Sequence, residues 1–227
     1  HDSTGGGSNS LVQVDSDTYA LAYAGKNTDG FISTFTIDSD GNITAVKTQS
    51  EGNNLEHDTN RGQYNSLVQV DSDTYALSYM GDGNKGYIST FTIDSSGNIT
   101  AVKTQSEGNN LEHTAAPEGG SASAAIESSS LVQVDSDTYA LAYTGTDNDG
   151  FISTFTIDSD GNITAVKTHS EGNNFEHDTD NARNSSLVQV DSDTYMLAYA
   201  SGVSPSGAIS TVTIDSDGNI TAVLTQS

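Results

Sequence analysis

The chain has 227 residues, 33% of them hydrophobic, and 31 acidic against 7 basic side chains give it a formal charge of −24. That charge repels nucleic acid and anionic membrane surfaces and leaves cationic partners, calcium above all, in play. The absence of Cys excludes a disulfide framework and any Cys-based metal or redox site, without excluding export.

In chain order, the first copy of a repeating unit reads as four extended runs: A, Leu11 to Asp15; B, Thr18 to Ala24; C, Phe31 to Ile37; and D, Asn42 to Thr48. They are rich in Val, Ile, Thr, Tyr and Phe, and Asp-Ser-Asp, a Gly-bounded loop and Asp-Ser-Asp-Gly-Asn separate them, which predicts an antiparallel meander. The run Ser-Leu-Val-Gln-Val-Asp-Ser-Asp-Thr-Tyr then recurs at Ser66, Ser130 and Ser186. Its period is about 56 residues, stretched to about 64 between the second and third copies by an Ala/Gly/Ser-rich insertion near 115–129. The whole chain, 1–227, therefore reads as a single repeat domain of four copies, 1–56, 57–112, 113–176 and 177–227.

Strand B alternates Tyr19, Leu21 and Tyr23 with Ala20, Ala22 and Ala24, one bulky face and one small. A lone sheet of this size cannot bury both faces, whereas identical sheets stacked bulky face on small face can. The expected fold class is thus all-β and β-propeller-like, four blades each a four-stranded antiparallel meander, with half of an eight-bladed ring or a linear stack of sheets as alternatives. Strand D, with Thr44, Lys47 and Thr48, is polar enough for an outer edge. The run Leu-Val-Gln-Val-Asp-Ser-Asp-Thr-Tyr-Ala-Leu-Ala-Tyr, with Gly-Phe-Ile-Ser-Thr-Phe-Thr-Ile-Asp and Glu-His-Asp, resembles the repetitive propeller-type arrays of large exported bacterial and archaeal proteins. That resemblance covers nearly the whole chain and implies a fold, not a chemistry.

A meander puts the A–B and C–D turns at one end of each sheet and the B–C loop and the crossover to the next copy at the other. The first end gathers Asp15, Asp17, Asp38 and Asp40, their third-copy counterparts Asp135, Asp137, Asp158 and Asp160, and the matching positions of the other copies. As hard oxygen ligands these carboxylates are the candidate calcium site; as turn formers they are what tight hairpins require. Asn-Ile-Thr at Asn42, Asn98, Asn162 and Asn219 matches the N-glycosylation pattern and is equally a hairpin signature.

At the second end the otherwise uniform copies diverge. Candidate ligand-binding residues are Lys26, Asn27 and Asp29; Asp82, Asn84 and Lys85; Asp147, Asn148 and Asp149; and Ser204 and Ser206, because variable loops on a rigid scaffold are where recognition resides. Glu56-His57-Asp58, Glu112-His113 and Glu176-His177-Asp178 lie in the crossovers; if these lead into innermost strands, the imidazoles could ring a central channel and hold a metal. Gly-x-Ser-x-Gly, a Cys nucleophile and a phosphate loop are all missing, so no catalytic residue is assigned.

Three function classes follow. A non-enzymatic extracellular module for adhesion, scaffolding or self-assembly, its partners other copies of the repeat, accounts best for near-identity of the copies. A multivalent, calcium-dependent, lectin-like glycan-binding propeller is the alternative. A sialidase-like hydrolase is remote, because the Asp-Ser-Asp-Gly turn lacks a Trp anchor. Acidity with few Lys suits saline surroundings, no run approaches the roughly 18 apolar residues of a membrane span, and His1 is not an initiator Met. A secreted or cell-surface prokaryotic protein, processed or cut from a longer array, is the expected source.

Overall fold

The computed structural model describes residues 6–44, 54–102, 110–113, 128–164, 174–202 and 206–226. The first two residues, strand D beyond Thr44, most of the insertion and Ser204 lie outside the described residues.

Each copy folds as an antiparallel sheet. The first holds β1 (Gly7–Gln13), β2 (Thr18–Ala24), β3 (Gly30–Ile37) and β4 (Ile43–Thr44) in that order, with β5 (Asn54–Asp58) also on β3. The second holds β6 (Gln63–Gln69), β7 (Thr74–Met80) and β8 (Gly86–Ile93), with β9 (Ile99–Val102) and β10 (Asn110–His113) both on β8. The third repeats the first with β11 (Ser129–Gln133), β12 (Thr138–Thr144), β13 (Gly150–Ile157), β14 (Ile163–Thr164) and β15 (Asn174–Asp178). The fourth is β16 (Arg183–Gln189), β17 (Thr194–Ser201), β18 (Ser206–Ile214) and β19 (Ile220–Gln226) in simple order.

The C strand takes a second partner that the sequence did not suggest. Among the described residues, β4 pairs with Thr36 and Ile37 of β3 and β5 with Gly30 to Ser33, so a segment read as crossover joins the sheet. In the fourth sheet β19 alone runs along β18 from Ile214 to Ile209. The exposed edge of a C strand offers its N–H and C=O groups to whichever segment reaches them, and both satisfy the backbone.

The chain forms two compact units. One is His1–Gly83 with Tyr87–Glu112 and Ser159–Asn162; the other is Asn84–Gly86 with His113–Asp158 and Ile163–Ser227. In the first, Ala20, Ala22 and Ile32 of one sheet bury against Tyr75, Leu77, Tyr79, Phe91 and Ile93 of the next. In the second, Ala140, Ala142 and Ile152 meet Tyr195, Leu197, Tyr199, Val212 and Ile214 in the same way. The small-on-bulky packing expected from strand B is what both units contain. Aromatic pairs stiffen the bulky faces, with Tyr75 stacked on Phe91 at 6.2 Å and Tyr139 on Phe155 at 6.2 Å.

Polar clamps repeat between sheets within each unit. The Leu67 N–H donates to Ser10 Oγ (2.9 Å) and the Leu187 N–H to Ser130 Oγ (2.9 Å), drawing the A strands together. Thr34 Oγ1 donates to the Gly97 carbonyl (2.5 Å) and Thr154 Oγ1 to the Gly218 carbonyl (2.5 Å). Both glycines close C–D turns at positive φ, +78° and +79°, which an L side chain rarely adopts. The Asp-Ser-Asp-Gly-Asn turn is therefore a fastener to the preceding sheet as well as a hairpin.

Enlarging a small-face residue should break this packing. Ala22→Leu is expected to cost about 1–3 kcal/mol through overpacking, read as a lowered urea midpoint, whereas Ala198→Leu, at the equivalent but half-buried position of the fourth sheet, should cost little.

Candidate functional site at the loop end

The two ends of the sheets differ chemically. At the first end, in the A–B turns, Asp15 Oδ1 and Asp135 Oδ1 accept the N–H of Ser16 and Ser136 (2.6 and 2.7 Å), and the Asp17 and Asp137 carbonyls accept from Ile37 and Ile157. In the C–D turns at the same end, Asp38 Oδ1 accepts the N–H of Asp40 and of Asn42, and Asn42 Nδ2 donates to its carboxylate at 2.9 Å. Asn98 and Asn219 do the same to Asp94 and Asp215. The Asn42 side-chain bond is the main cause holding Asp38 below the usual carboxylate range, and Asn219 does likewise for Asp215. The carboxylates of Asp15, Asp38, Asp94, Asp135 and Asp215 and the sequon residues Asn42, Asn98 and Asn219 are thus engaged in their own turns. Among the described residues no three acidic or His side chains converge as a metal-ligand set.

The B–C loops and crossovers meet at the other end, as the meander requires: the Gly62 N–H donates to the Thr28 carbonyl at 2.8 Å. The first three B–C loops are each one 3-10 turn, Lys26–Thr28, Asp82–Asn84 and Thr146–Asn148. The second and third residues lie at positive φ: Asn27 at 61° and Thr28 at 73°, Gly83 at 66° and Asn84 at 62°, Asp147 at 58° and Asn148 at 67°. Such φ values favour Gly, Asn and Asp, so the backbone itself restricts those positions. Choice remains at the first and fourth, Lys26 and Asp29, Asp82 and Lys85, Thr146 and Asp149, and there the charge changes sign. Ser206 stands exposed at the start of β18.

The crossover adds what the sequence did not connect. Asp58 Oδ1 accepts the N–H of Asn60 and of Arg61 (both 2.9 Å), fixing the carboxylate beside Gly81. Gly81 lies so close that a Cβ there would meet the Tyr87 ring at 2.6 Å and Asp58 Oδ2 at 2.9 Å. An aromatic ring and a fixed carboxylate thus converge over a residue without a side chain. In the second unit Asp178 occupies the place of Asp58, but Ser201 stands for Gly81 and donates its Oγ to Asp178 Oδ2 at 2.7 Å, and Ala208 stands for Tyr87. The signal in the sequence was Tyr87 where the other copies have Phe31, Phe151 and Ala208.

Charge also separates the copies. The first loop and its crossover carry Lys26 and Arg61 with Asp29, Glu56 and Asp58; in the third copy Thr146 and Asn181 replace the cations while Asp147 and Asp180 join Asp149, Glu176 and Asp178. Burial pushes the Asp149 carboxyl up, Asp147, Asp178 and Asp180 push it further, and a hydrogen bond with Glu176 opposes them.

His57 and His177 pack against neighbouring sheets rather than toward a channel. His57 sits at the bulge where β5 meets β3, edge-on to Tyr79 with ring centroids 4.6 Å apart, and His177 repeats this on Tyr199 at 4.8 Å. Neither ring nitrogen of either residue has a hydrogen-bond partner among the described residues. The strand leading to them lies on the C-strand edge of the sheet rather than an innermost one, which is why the imidazoles pack between sheets as plugs.

No protein-family model and no curated protein matches the sequence. Among solved structures, the chain is similar to the periplasmic gluconolactonase PpgL of Pseudomonas aeruginosa, with TM-score 0.67 and 14% identity over 96% of this chain and 56% of that one. It is also similar to a variant of AofleA from Arthrobotrys oligospora with three Arg-to-Ala substitutions, TM-score 0.52 and 12% identity over 96% and 56%. A third likeness is to the SapL1 lectin in complex with alpha methyl fucoside, TM-score 0.49 and 14% identity over 96% and 64%. The chain spans less than two thirds of the length of each. The likeness is one of fold: all-β and propeller-like.

Two pH effects follow from this end of the sheets. Burial holds His57 down to about 3 and His177 to about 4, the latter against the pull of Asp178. The folded chain then binds fewer protons than the unfolded one below the ordinary histidine value. Stability that is full above about pH 6.5 should fall as the pH drops, by about 2 kcal/mol per ring at pH 5. Urea melts of the His57→Gln, His177→Gln double variant should lose this slope between pH 6.5 and 5. Asp149→Asn works in the opposite sense: the raised carboxyl penalises the fold above its own range, so the variant should melt higher than wild type at pH 7 and gain nothing near pH 4.

Proposed function

We propose that this chain is a carbohydrate-binding propeller module of an exported protein, its four sheets acting as four blades. The observation that carries the reading is the convergence of the Tyr87 ring and the Asp58 carboxylate over Gly81, flanked in sequence by Asn60 and Arg61. Sugar rings present C–H faces that rest on aromatic rings and vicinal hydroxyls that donate to carboxylates and accept from guanidinium groups; a few convergent polar groups around apolar surface are what such sites contain. The B–C loops support the reading, since they hold one backbone while varying the side chains that backbone geometry leaves free. The fold likeness to a gluconolactonase and to AofleA is compatible with it.

The reading is one of binding, not catalysis. Loops of one backbone on near-identical sheets would give several weak contacts rather than one acid, one base and one nucleophile, and linkage of weak sites raises avidity without new contacts. Calcium enters as a proposal only, through the carboxylate-rich loops, and adhesion to glycan-bearing surfaces would be the biological consequence of multivalency.

A glycan array probed with and without calcium should give hits. Tyr87→Ala or Arg61→Ala should weaken them about tenfold or more, the loss expected for one charge-assisted hydrogen bond or one stacked ring. An array blank under both conditions overturns the proposal, and cleavage of the arrayed glycans would replace it with the hydrolase reading.

A further inference from the structure

We infer that the first and fourth sheets carry the two halves of an interface for a second copy of this chain, joined head to tail. The inference rests on packing and is independent of what the loops bind. Within each unit, the small face of one sheet is covered by the bulky face of the next. In the first sheet the bulky face lacks that cover: Leu11 is 57% exposed and Ile43 66%, whereas their counterparts Leu67 and Ile99 are 6% and 9%. In the fourth sheet the small face is the open one, with Val188, Val190, Met196 and Ile209 all exposed where Ala20 and Ile32 in the first sheet are fully buried.

These are not two unrelated apolar patches. Along β17 and β18 buried residues alternate with half-buried or exposed ones, so the fourth sheet is covered on one face and open on the other. β7 and β12, in the middle copies, are buried along their whole lengths. The bare bulky face carries the residue types that pack inside the units, and so does the bare small face except at Met196, an unbranched side chain standing where the covered small faces have Ala20 and Ala140, so the geometry that joins two sheets within a unit can also join two chains with Met196 at the junction. The occupant that fits is another copy because the required surface is the repeat's own. A patch of several exposed Val, Ile and Leu side chains on a chain this acidic is otherwise a liability in water. The gluconolactonase and AofleA structures are longer chains, of each of which this one covers 56%.

The interface is heterologous: one face meets a different face, so the arrangement closes as a ring if the rotation permits and otherwise extends. With a charge of −24 on each copy, association must overcome repulsion, and salt should strengthen it by screening.

The test is light scattering of the full chain across salt concentration, with Leu11→Lys and Ile209→Lys as separate variants. Wild type should reach the mass of two chains or a larger multiple as salt rises, and each variant alone should stay at one chain, since every junction would contain a lysine. The two exposed positions should leave circular dichroism unchanged. An equimolar mixture of the variants should recover the mass of two chains, because Leu11 of one copy can meet Ile209 of the other at a single intact junction. A monomeric wild type at all salt concentrations, association of either variant alone, or a mixture that stays monomeric would each overturn the inference.

Discussion

The packing of a small face on a bulky one organises this molecule. Ala20 and Ala22 leave room for Tyr75, Leu77 and Tyr79, and the tyrosines occupy it, so each unit has a core only because two sheets share one. Strand B must therefore alternate without error: a one-residue slip would turn tyrosines toward tyrosines and alanines toward alanines. The threonine and serine clamps then align what dispersion and burial hold together. Thr154 reaches the Gly218 carbonyl only because that glycine turns the next sheet's hairpin back toward it.

Near-identity of the copies confines chemistry to a few positions. Residues that face a neighbouring sheet cannot change alone, and the second and third loop residues are held to Asn, Gly and Asp, with Thr28 the exception, by their positive φ. Variation is left to the first and fourth loop positions, to the crossover and to the residue at Tyr87. Through those few the first unit acquires an aromatic ring, a fixed carboxylate and two cations, while the third copy gathers five carboxylates around the same backbone. Duplication supplied the scaffold and local substitution differentiated it.

The crossover has a larger part than a linker. It completes the edge of the C strand through β5, supplies the carboxylate that faces Tyr87, and plugs the space between sheets with His57. An imidazole with two unpartnered nitrogens is costly, and Gly30 shows how little freedom it has, for a side chain there would collide with the ring and with Gly62. Tight packing against the Tyr79 edge offsets that cost while the ring is neutral and not once it is protonated.

Periodicity and local preference determined much of this protein from sequence alone: the four meanders, the bulky and small faces, the turns closed by Asp and Gly, and the sorting of loops into a uniform and a variable end. Each depends on residues within one copy or on its exact repetition. The tertiary structure decided what depends on meetings between distant segments. It placed Asn54–Asp58 on the edge of β3, turned His57 inward instead of toward a channel, bound Asn42, Asn98 and Asn219 to their own turns, and brought Tyr87 and Asp58 together over Gly81 from three different elements. It also decided which faces are covered, because Leu11 and Leu67 are the same residue in the same motif and only the presence or absence of a neighbouring sheet distinguishes them.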